Sequence, residues 1–145
     1  MPAADEHFRR LERMYRSAGI NEYFRPDLFV AEGRAEVRMS LRPDFHHAAH
    51  AVHGSVYFKA LDDSAFFAAN SVVTDVFVLT VTFNVVLLRP VSAGTMTAYG
   101  RLVHRSKNLL VAESELRDEH DRALARGSGT FMRSMIRLDA TVGYV

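Results

Sequence analysis

The 145 residues suffice for one domain that buries roughly two-thirds of its unfolded surface, and 48% apolar against 24% charged residues is an ordinary globular balance. Disordered, collagen-like and transmembrane chains are excluded. A net charge of +1 supplies no overall field for nucleic acid or anionic membrane, so neither is expected as a partner. The absence of cysteine rules out disulfides, thiolate nucleophiles and Cys-ligated metal or iron–sulfur centres.

The first twenty residues interleave acids and arginines with single apolar positions, unlike a secretory leader, and no run reaches the about 20 uncharged residues of a spanning helix. A soluble, cytoplasmic protein is expected, with one domain over residues 1–145. Phe8, Leu11 and Tyr15 follow helical spacing behind the acidic pair Asp5 and Glu6, which predicts an amphipathic helix over about 4–17, ended by Ala18-Gly19. Residues from about Leu28 to Leu41 alternate as one half-buried strand, and Phe45 to Val52 reads as a loop. A second helix is predicted over about 54–71, apolar almost all round its axis and therefore inside the fold. From Val76 onward four β runs follow with short connections, for which an antiparallel meander is the simplest topology. Gly100, Gly127 and Gly129 inside these strands suggest bulges or close backbone approach. The sum is an α+β fold with a curved antiparallel sheet around a long central helix, and a symmetric dimer would cover what the sheet cannot.

Chemistry concentrates at His53-Gly54-Ser55 and at Asp62-Asp63 within the central helix. Two adjacent acids in an apolar helix need separate explanations, because burying an unpaired carboxylate is costly. Lys59, four residues before Asp63, can pair with it. Asp62 shares its face with Phe58, Ala65, Phe66 and Ala69, a setting that raises a carboxylate toward the range of a general base, or simply buries a structural acid. Gly54 can open the helix and leave its backbone N–H to a carbonyl oxygen. His46, His47, His50 and His53 do not converge on one helical face and lack a matching acid, so no metal site is expected. Arg89, Arg105 and Lys107 stand at strand ends, as phosphate contacts or as ordinary solvated charges.

In combination these residues resemble the PaaI-like acyl-CoA thioesterases of the hot-dog superfamily. The family pattern is His-Gly-Gly at the start of the central helix, an acid nine positions after the His, and a polar residue about ten before an Arg-Pro turn. Here His53-Gly54-Ser55, Asp62, and Thr80 ahead of Arg89-Pro90 match it, as do the segments Leu88 to Gly94 and Gly127 to Phe131. The resemblance implies a hot-dog fold and hydrolysis of an acyl-CoA. It makes Asp62 base or nucleophile, Gly54 the donor to the thioester carbonyl, and Thr80 the residue that positions water. It further implies no cofactor beyond the coenzyme A of the substrate, and a dimer or dimer of dimers in which Asp62 of one chain acts with His47, His53 and Gly54 of its partner. Ser55 departs from the family's second glycine, in the part of the site that faces the substrate, and His47 stands where many relatives have Asn. General-base attack and an acyl-enzyme both remain open. So do two other functions: a hot-dog enoyl-CoA hydratase or dehydratase, and a non-catalytic acyl-CoA sensor.

Overall fold

The computed structural model describes residues 3–145. The chain runs α1 (Ala4–Ser17), α2 (Gly19–Phe24), β1 (Asp27–Ala31), β2 (Arg34–Ser40), a 3₁₀ turn at Pro43–Phe45, α3 (Gly54–Asn70), β3 (Val76–Leu87), β4 (Thr95–Arg105), β5 (Leu109–Asp118), β6 (Ala123–Arg137) and a last 3₁₀ turn at Ala140–Val142. All strands join one antiparallel sheet in the order β1-β2-β4-β5-β6-β3, curved around α3. This is the α+β hot-dog architecture.

Small residues decide how deeply α3 sits. Ala60, Ser64, Ala65, Ala68 and Ala69 are wholly buried, and a Cβ on Gly100 of β4 would overlap the Ser64 carbonyl. Backbone therefore meets backbone at that point, a contact that only glycine permits. Tyr57, Leu61, Met96 and Leu116 fill the core around the first half of the helix, and Phe66, Phe67, Leu110 and Phe131 fill it around the second. Ser55, Phe58 and Asp62 form a stripe that the sheet leaves open or half-open. One curved sheet covers one side of a cylinder, so this stripe is the part of the helix that the sheet of one chain leaves to a further surface.

Three expectations change. The strand read over 28–41 is the hairpin β1–β2, because Gly33 adopts a left-handed φ of 70° and turns the chain after Glu32. Helix α1 ends at Ser17 with Ala18 extended, as expected, but a second short helix, α2, follows at once, which Asn21 ties to the Tyr15 carbonyl and Arg25 ends at φ 50° just before Pro26. The meander holds only for β4-β5-β6, since β3 lies beyond β6 at the sheet edge. Residues 88–94 separate β3 from β4, and they include Pro90, which has no N–H for a tight hairpin.

Asn70 sets where β3 begins relative to α3. Its buried amide donates to the carbonyls of Val73 at 3.0 Å and Val76 at 3.1 Å, and its oxygen accepts from the Val78 N–H at 2.9 Å. Its own carbonyl accepts from His7 Nε2 at 3.0 Å, which locks α1 to the same corner.

The helix-to-sheet contact is testable. Gly100→Ala is expected to destabilise the protein by about 1–3 kcal/mol or more through overpacking. Gly19→Ala, whose Cβ would meet nothing within 4 Å, should change stability by less than about 1 kcal/mol. Urea unfolding midpoints check both.

Candidate active site

Asp62 lies half-buried in the open stripe of α3, and its Oδ1 accepts a hydrogen bond from Thr80 Oγ1 at 3.0 Å. Strand alternation alone would put Thr80 and Phe83 on opposite faces of β3. The β3–β6 register shifts between Thr80 and Thr82, and this bulge turns both residues toward α3. Burial pushes the Asp62 carboxyl from the ordinary range up to about 6; the Thr80 hydrogen bond opposes the shift, the neighbouring Asp63 charge adds to it, and Lys59 opposes it. Asp63 behaves differently. It accepts from Lys59 Nζ at 2.7 Å and from the Tyr15 hydroxyl at 2.6 Å, so its charge is matched within the fold.

At the other end of the stripe, Gly54 is the first residue of α3 and has no intrahelical acceptor for its N–H. His53 caps this turn: its Nδ1 accepts from the Ser55 N–H at 3.0 Å and from the Ser55 hydroxyl at 2.8 Å. With Nδ1 an acceptor, the neutral ring carries its proton on Nε2. His47 is held by the Ala49 N–H, which donates to its Nδ1 at 3.1 Å. His47, Gly54, Tyr57, Leu87 and Arg89 line one groove of about 340 Å³. The structure thus brings together Gly54, His47 and Arg89, with His53 and Ser55 at its edge.

The thioesterase superfamily profile matches residues 49–125, more than half of the chain and the whole of α3. The chain belongs to the thioesterase superfamily. Its fold matches the Escherichia coli PaaI protein of the phenylacetic acid degradation operon with a TM-score of 0.85 at 22% identity, covering 94% of this chain and 99% of that one. A conserved protein of Pseudomonas aeruginosa matches with a TM-score of 0.77 at 24% identity, over 92% and 100% of the two chains. A Saccharolobus solfataricus protein that bears an esterase name is 21% identical over 129 residues, 89% of each chain. Thioester hydrolysis is the chemistry that this membership supports.

For a thioesterase, the geometry within one chain is divided. Asp62 follows Gly54 by eight helical residues, about 12 Å along the axis, too far for both to touch one carbonyl group. Arg105 and Lys107 do not join Arg89: together with Arg133, Ser106, Val73 and Leu110 they line a separate pocket of about 280 Å³ beyond the C-terminal end of α3. Arg133, absent from the sequence reading, enters that pocket because the β5–β6 pairing sets Met132 opposite Leu109, beside the turn that carries Arg105 and Lys107. Among the described residues, no three His, Cys, Asp or Glu side chains are grouped to hold a metal ion.

Because the folded state raises the pKa of Asp62, it binds this proton more tightly than the unfolded chain does between pH 3.8 and about 6. Stability therefore falls as pH rises through that window, by up to roughly 3 kcal/mol. Asp62→Asn is expected to be more stable than wild type at pH 8 and to lose that advantage near pH 4, as measured by urea unfolding at both pH values.

Proposed function

We propose that this thioesterase hydrolyses acyl-CoA thioesters by general-base catalysis, as a cytoplasmic single-domain protein that works as a homodimer or a dimer of dimers. The observation that carries the reading is the pair made by a half-buried Asp62, poised near pH 6, and the Thr80 hydroxyl. Asp62 takes a proton from water held against Thr80 as the water oxygen attacks the thioester carbon. The carbonyl oxygen becomes an oxyanion, and the free Gly54 N–H at the positive end of α3 in a second copy receives it. Collapse breaks the carbon–sulfur bond, and the leaving CoA thiolate takes the proton from Asp62. The acid product gives its remaining proton to solvent and departs as its carboxylate, and no cofactor beyond the CoA of the substrate enters.

Two observations favour the second copy: the about 12 Å between Asp62 and Gly54 in one chain, and the open stripe Ser55, Phe58 and Asp62. In this reading His53 offers its Nε2–H toward the substrate carbonyl, Ser55 fixes that ring, and His47 lines the approach. Arg89 lies beside the thioester, and Arg105 and Lys107 are left for the phosphates of CoA. Among the described residues, no helix is long and apolar enough to cross a membrane.

Thiol release from a panel of acyl-CoAs tests the reaction. Asp62→Ala is expected to lower kcat by about 10²–10⁴, and Thr80→Ala by less. Wild-type kcat should rise with pH through about 6, where Asp62 ionises, and then level. Saturable binding without thiol release would instead indicate a sensor, and water addition to an enoyl-CoA a hydratase. Sharing between subunits has its own measurement. Gly54→Pro deletes the donor at a position where proline suits a helix. Co-expressed with Asp62→Ala, it should recover about a quarter of wild-type activity, since each mixed dimer keeps one intact site. Recovery of none would place the whole site within one chain.

A further inference from the structure

Between Asp62 and Gly54, an aromatic pair fills the gap between α3 and β3. Phe58 lies one helical turn before Asp62 on the open stripe and is 41% exposed. It meets Phe83 of β3 edge-on, with ring centroids 5.5 Å apart. Phe83 in turn lies flat across β6. A Cβ on Gly127 or on Gly129 would overlap its ring, and Phe83 stands opposite Gly129 in the strand register.

The arrangement has a cost and a direction. Glycine in a strand interior loses about 0.5–1 kcal/mol relative to alanine, and here two glycines make a floor for one ring. That ring packs against the core yet is only partly buried, and the phenylalanine set edge-on against it lies on the open stripe. The Thr80–Thr82 bulge, which aims Thr80 at Asp62, also turns Phe83 into the gap. The wall and the catalytic pair therefore stand on the same short piece of β3.

We infer that Phe83, pinned on Gly127 and Gly129 with Phe58 against it, is the stop that sets acyl size at Asp62, so that compact acyl groups are hydrolysed and long alkyl chains are refused. The inference rests on the thioesterase reading above and adds its substrate class. An acyl tail directed from Asp62 into the protomer enters between α3 and β3 and meets the ring pair. Because no Cβ lies beneath Phe83, removing its ring opens space down to the sheet backbone.

The experiment compares kcat/KM for acetyl- to palmitoyl-CoA, with benzoyl- and phenylacetyl-CoA, in wild type, Phe83→Ala, Phe83→Leu and Phe58→Ala. Wild type is expected to favour short and single-ring substrates. Phe83→Ala should raise the long-to-short ratio of kcat/KM by at least about tenfold, the range that pocket methylenes command, with Phe83→Leu in between. Thermal unfolding monitors the fold, and Phe83→Leu, which keeps an apolar side chain on the glycine floor, decides the matter if Phe83→Ala does not fold. An unchanged ratio in the Phe83 variants overturns the inference, as does a wild-type preference for palmitoyl-CoA. Absence of turnover by wild type on every substrate overturns the thioesterase reading itself and the inference with it, a result distinct from turnover with an unaltered profile.

Discussion

The contact between the α3 backbone and Gly100 governs the geometry of everything around it. A helix normally stands off a sheet by the thickness of its side chains, but at Ser64 nothing intervenes. Small residues flank that contact, with Ala60, Ser64 and Ala68 wholly buried on the side of the helix turned away from Asp62. The opposite side of the helix is lowered by the same amount. The Asp62 carboxylate consequently comes level with the edge strand and reaches a threonine there. Asn70 completes the alignment, since its three side-chain hydrogen bonds fix where β3 departs from the end of the helix.

The two neighbouring acids show how one turn of helix can give two chemistries. Asp63 points to Lys59 and Tyr15, with the Lys59 ammonium also over the rings of Tyr15 and Phe24, and its charge is spent on holding α1 and α2 to α3. Burial and the Asp63 charge raise the Tyr15 hydroxyl above its usual pKa, so it stays a donor. Asp62 has a single neutral donor, and burial leaves it a stronger base than a solvated carboxylate. Such a group works against folding at neutral pH, an expense for which the proposed role as general base would account.

Local residue patterns carried much of this and stopped at definite points. The α1 periodicity, the apolar length of α3 and the Lys59 to Asp63 spacing are contained in consecutive residues, and each reappears in the structure. Glu32-Gly33 was readable as a turn but sat inside a convincing alternation, so two strands looked like one. The neighbour order of the strands was not readable, because pairing β3 with β6 depends on where α3 delivers the chain. The bulge after Thr80 left no mark either: Thr80 through Phe83 reads as regular alternation, which would set Thr80 and Phe83 on opposite faces. The grouping of Arg105 and Lys107 with Arg133, away from Arg89, follows from the β4-β5-β6 meander, which sets Met132 opposite Leu109.

The position of β3 also dictates a timetable. Among the described residues it pairs only with β6, and β6 ends about fifty residues after Leu87. At ribosomal speeds of about 5–20 residues per second, an apolar twelve-residue strand waits several seconds for its mate to emerge. During that interval α3 can collect β1, β2 and then β4, but the backbone edge of β3 that pairs with β6 stays uncovered. Nascent chains on one messenger expose the same edge at the same time. The vulnerable moment in the life of this protein is therefore its birth, when strand-to-strand capture between unfinished neighbours competes with closure of the sheet.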